Sequence, residues 1–382
     1  MDVYSVSYNI TDGVVTPAEE GGSNTLLPSS VLYSILYAAL ILAVISGNTL
    51  VLLAVYFEKS LRTTTNFFIV NLACADLLLG TLVLPFSGVF EAVGEWHFGH
   101  VFCDVWAATD VLCCTASINS LCIISIDRYI GVSRPLKHKL IMTPRRAGWL
   151  IVLVWVVSFS IAVGPLFGWR PVKDNPFDCP LSNQVDYVFF SVSGSFYIPT
   201  LVIIILYIKI YRAVSRESRK LKPSRDDENH KEVSLRIHRG AENNSFSSQS
   251  QQSSSSESHS LRKNRLPRQL SQKRAITFNR EKKVAKTLGI VVGAFILCWF
   301  PFFFLLPLIC PDCNIPPGFF TFAFWLGYCN SFVNPIIYGA SNRTFRRAFR
   351  GILSCQYCFN RWRRLTSVNS VRRMQNTHSS QH

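Results

Sequence analysis

No lysine or arginine precedes Lys59, so the first 58 residues carry only acidic charge. The connections near 92–102 and 309–316 also have neither, and in 169–186 Arg170 and Lys173 are offset by three aspartates. These gaps matter because the 382-residue chain has a formal net charge of +16. Its basic residues gather instead at Lys59 and Arg62, at Arg134, Lys137, Lys139, Arg145 and Arg146, and in runs over 209–286 and 343–373. That alternation is not the patch or stripe with which a protein grips nucleic acid, and it removes nucleic acid as a partner. A signal peptide is lacking too, so the polar, acidic start is expected to be a short outer tail carried across by the first helix. There is no internal repeat of the kind from which many transporters are built. Nor is there a convergent nucleophile–base pair or three-ligand metal set, as a membrane enzyme would need.

What the chain has is apolar length. Hydrophobic residues make up 49% of it, and mean hydropathy is +0.23. Seven apolar segments recur at about 31–56, 67–90, 104–126, 148–168, 187–211, 284–308 and 317–338. Each is near or above the length needed to span a bilayer. The fold class is therefore an all-α membrane protein, a seven-transmembrane helix bundle. Because basic connections mark the cytoplasmic side, the amino terminus is expected outside and the carboxyl terminus inside a multi-pass plasma-membrane protein. The divisions follow: an outer tail over 1–30, the bundle over 31–340, a basic amphipathic eighth helix over 341–358 and a disordered tail over 359–382. The Ser-, Gln- and charge-rich stretch 216–278 interrupts the bundle and reads as a disordered third cytoplasmic loop.

Sidedness sorts the cysteines. Cys74, Cys113, Cys114, Cys122, Cys298 and Cys329 fall within helices as small packing residues. Cys103 and Cys179 fall on the outer side, where an oxidising environment permits a disulfide. Cys310 and Cys313 either form a small local bridge or stay two free thiols. Cys355 and Cys358 follow the basic amphipathic stretch and are palmitoylation candidates. Asn9 opens an outer glycosylation acceptor.

The stretch from Cys103 to Tyr129 organises the rest. Asp110 and Arg128 lie eighteen positions apart. That is five whole helical turns, so both side chains share one face, about 27 Å apart. An ionisable residue inside a membrane helix marks a functional site until shown otherwise. Asp110, Cys114 and Ser117 form an inward stripe. On the fifth segment Ser191 and Ser195 are one turn apart; serines there often bond their own helix, but this pair sits at the depth of Asp110. Pro199 below them frees a carbonyl and bends the helix. Trp299, Phe302 and Phe303 are core residues that also offer the aromatic walls a held cation needs. Phe324 and Tyr328 face one way, with Tyr328 placed to bond Asp110. Asp76 is the second buried acid. With Ser117, Asn330 and Asn334 it reads as a polar pocket for a sodium ion, since oxygen donors suit a hard cation; the alternative is a packed, protonated carboxyl. Glu281 starts the sixth helix, where it can pair with Arg128 and hold a two-state switch. Leu136 is an apolar tip on a basic loop, either a chance surface leucine or a plug for a partner's pocket.

Together Gly47-Asn48, the run Leu72–Asp76, Asp127-Arg128-Tyr129, Trp155, Cys298–Pro301 and Asn334–Tyr338 resemble the rhodopsin-like receptors that act through G proteins, and within them the biogenic-amine group. The seventh helix has no lysine, which sets the chain apart from the retinal-binding members. Asp110–Thr115, Ser125–Val132, Gly194–Pro199, Arg280–Gly293 and Phe324–Ser331 look most like alpha-1 adrenergic receptors. The resemblance implies a receptor, not an enzyme, with no cofactor beyond an allosteric sodium ion. Asp110 would hold the amine of noradrenaline or adrenaline. Val111, Cys114, Phe302, Phe303 and Leu306 would wall the ring, Ser191 and Ser195 would meet its hydroxyls, and Phe324 and Tyr328 would close the amine end. Asp127, Arg128, Tyr207, Glu281, Trp299, Asn334 and Tyr338 would form the activation switch. Leu136 would touch a G protein of the class that drives phospholipase C and calcium. Receptor kinases, arrestin and membrane lipid are implied as further partners. The short second outer loop, the Cys310/Cys313 pair and Tyr328-Cys329-Asn330 also fit octopamine receptors of the alpha-1-like type, and coupling through cyclic AMP is the second signalling option.

Overall fold

The computed structural model describes residues 29–164, 175, 177–179, 185–220, 257–306 and 317–355, which are helical almost throughout and contain no strand. The helices are α1 (Ser29–Phe57), α2 (Thr64–Leu82), α3 (Leu84–Val93), α4 (His100–Ser133), α5 (His138–Ile141), α6 (Pro144–Ala162), α7 (Val185–Val192), α8 (Ile198–Lys220), α9 (Glu257–Leu305), α10 (Pro317–Ser341) and α11 (Arg343–Leu353). Six stretches among the described residues are long and apolar enough to cross a membrane: α1, α2 with α3, α4, α6, α7 with α8, and the part of α9 from Ala275. The seventh expected span is α10, 25 residues long. Its Asn330, Ser331 and Asn334 dilute its apolar character, and all three are buried.

The helix ends are written locally. Thr63 accepts from the amide of Asn66 ahead of α2, and Thr143 accepts from that of Arg146 ahead of α6, whose first residue is Pro144. Each such cap satisfies an otherwise orphan donor and contributes about 1 kcal/mol. At Pro85 the helix breaks: α2 stops at Leu82, Val83 takes φ −115°, and Pro85 sits in the first turn of α3, where its missing N–H costs nothing. Between α7 and α8 the chain widens into a π-turn over Ser193–Tyr197, with the amide of Ile198 donating to the carbonyl of Ser193. Pro199, next in line, has no amide to donate to the previous turn. The sulfur of Cys122 approaches the carbonyl of Pro199 at 3.5 Å.

The chain divides into two compact units. One comprises Met1–Ile124, Thr143–Ile203 and Thr287–His382; the other comprises Ser125–Met142 and Ile204–Lys286. In the first, α1 packs on α2, α3, α10 and α11, and α2 packs on α6. Polar residues tie these helices from within. Asn48 donates to the carbonyls of Val44 (2.9 Å) and Ser331 (3.0 Å). Asn71 donates to Ser120 (2.8 Å) and accepts from the indole of Trp155 (2.9 Å). The apolar side chains face the other way: Leu42 is 68% exposed, Trp149 74% and Leu297 75%, while Asp76 is 0% exposed. Polar residues inside and leucines outside is the distribution a lipid solvent selects.

The second unit has a small core of Val132, Ile210, Phe278 and Ala285, against which Tyr129, Tyr207, Ala213 and Val214 pack. The expectation of a structureless loop over 216–278 is corrected at both ends. The helix α8 runs on to Lys220 and α9 begins at Glu257. Lys, Arg, Gln, Glu and Leu are all good helix formers, so polar composition did not by itself end the helices.

Candidate functional site

Asp110 lies in the first unit, 9% exposed on α4. Tyr328 of α10, fully buried, donates its hydroxyl to Asp110 Oδ1 at 3.0 Å, the bond the sequence left open to it. Cys114, one turn below on α4, points its sulfur at the same oxygen (3.5 Å). Oδ2 accepts no bond that competes with an incoming cation among the described residues. From Tyr328, the partner of the carboxylate, a continuous run of ring contacts leads on. Phe324 meets Tyr328 edge-on (4.6 Å between centroids) and Phe302 at 5.4 Å. Phe302 meets Trp299 (5.8 Å) and Phe303 (5.2 Å). Phe303 stacks on Phe196 at 4.5 Å. Trp299 can lie flat on α10 only because residue 327 is glycine: a Cβ there would sit 2.6 Å from the indole ring.

The two serines differ. Ser191 is half-buried near the end of α7, one turn after the buried Tyr187. Ser195 is buried, its Oγ 2.8 Å from Thr115 Oγ1 on α4. Val111 is half-buried one residue past Asp110, and Leu306 is half-buried just beyond the end of α9. Cys103, at the start of α4, is disulfide-bonded to Cys179 with their Cα atoms 5.7 Å apart. Beside that bridge the amide of Trp96 donates to the carbonyl of Phe177 (2.7 Å).

Asp76 forms a second polar centre in the same unit. It accepts from Ser117 (3.0 Å) and Ser331 (2.8 Å) at Oδ1 and from Asn334 (2.9 Å) at Oδ2. Ser331, which the sequence reading passed over, is thus a partner of this carboxylate. Asn330 is buried nearby along α10, and its Oδ1, like that of Asn334, has no partner among the described residues. Tyr338 is buried and stacks on Phe345 of α11 at 5.7 Å.

In the second unit Arg128 is held from two sides. Its Nη1 donates to Glu281 Oε2 at 2.8 Å, and its Nε to Asp127 Oδ2 at 3.1 Å, with Nη2 closing on the same Asp127 oxygen. Gly131 makes room for this, since a Cβ there would meet Glu281 Oε2 at 2.8 Å. His138 of α5 takes the other oxygen of Asp127 through Nε2 at 2.7 Å. Tyr207 packs against the small core of this unit, and Leu136 stands 51% exposed on the turn between α4 and α5.

Residues 47–338 match the model of the "7 transmembrane receptor (rhodopsin family)". The chain belongs to the rhodopsin-like family of seven-transmembrane receptors. It is therefore a multi-pass membrane protein of that receptor family. Among curated relatives it is 50% identical over 337 residues to the alpha-1D adrenergic receptor of Rattus norvegicus, covering 87% of this chain and 58% of that one. It is 46% identical over 340 residues to the alpha-1A adrenergic receptor of Oryctolagus cuniculus (88% and 70%), and 45% identical over 335 residues to that of Homo sapiens (86% and 69%). The chain thus spans 58% of the length of the rat alpha-1D relative.

Within this receptor several residues came to light only in three dimensions: Thr115, Tyr187, Phe196, Ser331 and His138. Thr115 could have been found in the sequence as a hydroxyl five places after Asp110. For His138 no signal separates it from the other residues of its basic loop. Asn9, Cys310, Cys313 and Cys358 lie outside the described residues. Cys355 is exposed just past α11.

Proposed function

We propose that this receptor binds a catecholamine, noradrenaline or adrenaline, from the outer side of the plasma membrane and signals inside through a heterotrimeric G protein of the phospholipase C class. The observation that carries the reading is the Asp110 carboxylate. It is buried, and Tyr328, which fixes one of its oxygens, joins it to a box of packed aromatic rings, with serines on a facing helix. A protonated amine is the cation of the right size for such a box, because ring faces and a desolvated carboxylate both favour it. The names of the similar relatives point the same way. Binding would shift the population of the Arg128–Glu281 pair, and Tyr207, Trp299, Asn334 and Tyr338 would move with it. Leu136 and the basic connections would meet the G protein, and receptor kinases and arrestin would follow on the same side. The orientation rests on the basic connections. Glycosylation at Asn9 and palmitoylation at Cys355 or Cys358 belong to the same proposal; loss of label from hydroxylamine-treated or Cys355→Ala protein would settle the second.

The test is intracellular calcium in cells expressing the chain, with dose series of noradrenaline and octopamine. Noradrenaline acting at lower concentration supports the proposal. The reverse order would move the assignment to octopamine, the second reading. Silence to both at confirmed surface expression would sink the amine–calcium reading and make cyclic AMP the next measurement.

We further propose a sodium ion at Asp76. Three donors occupy three of the roughly four acceptor directions of its carboxylate, and Asn334, bonded to it through its amide nitrogen, and Asn330 on the same helix each keep a buried oxygen that we assign to the ion with Ser117. The expected outcome is that replacing sodium by a large organic cation raises agonist affinity severalfold, and that Asp76→Asn abolishes this dependence. An unchanged sodium effect in that variant would place the ion elsewhere.

A further inference from the structure

We infer that Thr115 is a positioning residue for ring-hydroxyl recognition: it holds the Ser195 hydroxyl off its own helix and aims it at the ligand. The inference rests on the catecholamine reading and names a specificity determinant within it. Hydroxyls in membrane helices usually fall back onto a carbonyl of their own previous turn. That is what Thr81 does onto Leu77 (2.7 Å), Ser87 onto Val83 (3.0 Å), Thr109 onto Val105 (2.7 Å) and Ser160 onto Val156 (2.8 Å). Thr115 and Ser195 instead bond each other across two helices at 2.8 Å, and both are buried. The π-turn over Ser193–Tyr197 places Ser195 where the backbone is widened, so its rotamer is set by this partner rather than by a regular helical turn. A serine hydroxyl has one proton and two lone pairs. With one of those capacities taken by Thr115, the remainder has a defined direction, and the β-branched threonine holds that direction stiffly. Asp110 and Thr115 lie on the same helix five residues apart, so one rigid element would set the distance between the amine anchor and the oriented hydroxyl. Without Thr115, Ser195 would return to the carbonyl of its own helix and leave the ligand's ring hydroxyl unmatched.

The experiment uses the full chain in cells and three amines that differ only in ring hydroxyls: noradrenaline with two, octopamine with one and phenylethanolamine with none. Calcium potency is read for wild type, Thr115→Val, Thr115→Ser, Ser195→Ala and the Thr115→Val/Ser195→Ala pair at matched surface levels. Thr115→Val is expected to lower noradrenaline potency about tenfold, the worth of one well-placed hydrogen bond, and to move phenylethanolamine less than about twofold. Thr115→Ser should restore most of the loss. The double variant should be no weaker than Ser195→Ala alone, since both changes remove one interaction. Equal losses for all three amines, or full additivity in the double variant, would overturn the inference and leave Thr115 a packing residue. A wild-type receptor that ignores all three amines would bring down the ligand reading itself, and this inference with it.

Discussion

Replacing Asp110 by asparagine should lower noradrenaline potency by about 100- to 1,000-fold while the receptor still reaches the cell surface. The substitution keeps shape and an oxygen that Tyr328 can bond, so the aromatic box of Phe302, Phe303, Phe324 and Trp299 stays packed. What it removes is the charge. An ammonium brought into that desolvated box without a counter-charge is an unpaired buried ion, a loss of about 3–4 kcal/mol on the scale seen when one member of a buried pair is deleted. At about 1.4 kcal/mol per decade that gives the range stated. The check is a calcium dose–response beside surface labelling of a tagged chain. Potency within threefold of wild type would mean that the amine is anchored elsewhere, and Asp110 would then be a structural acid of α4.

The second large effect is expected without ligand. Glu281→Ala should raise agonist-independent signalling roughly tenfold at equal surface expression. The Arg128–Glu281 bond is 2.8 Å long, with side-chain exposures of 3% and 15%, so it lies in the range where an ion pair is shielded from water rather than screened by it. Removing the carboxylate leaves Arg128 with Asp127 as its remaining anion. The net change is therefore smaller than for a fully orphaned arginine, about 1.4 kcal/mol, which is tenfold in a two-state population. Glu281→Asp, one methylene shorter, should give an intermediate rise. Basal inositol phosphate accumulation is the readout. No rise in the alanine variant would show that the pair is a passive contact of the small unit and not a restraint on the active state.

These expectations depend unequally on the two levels of description. Residues of opposite chemistry at helical spacing were readable directly. Seven apolar runs, a carboxylate inside the third and a pair of serines one turn apart each follow from the 3.6-residue period and the cost of charge in lipid. The Asp110–Tyr328 and Arg128–Glu281 bonds, which the sequence allowed without fixing, are present. The break at Pro85 follows from the absent amide of proline, a property of one residue that needs no partner.

The period places residues on a face but does not say how that face is turned toward its neighbours, and there the tertiary structure decided. Asn330 and Ser331 are adjacent, about 100° apart around α10, and either could have met Asp76. The rotation of α10 against α2 brings Ser331 to Oδ1. Ser195 could have bonded its own helix; the π-turn and the approach of α4 give it to Thr115. His138 bonds Asp127 because a short helix eleven residues on folds back, a geometry that no local pattern encodes. The amino-acid sequence by itself determined which groups are buried in this receptor and which helix carries each. Only the packing of the helices decided which buried group is partner to which, because a hydrogen bond depends on ångström distances between elements whose relative rotation is set by the whole packed interior.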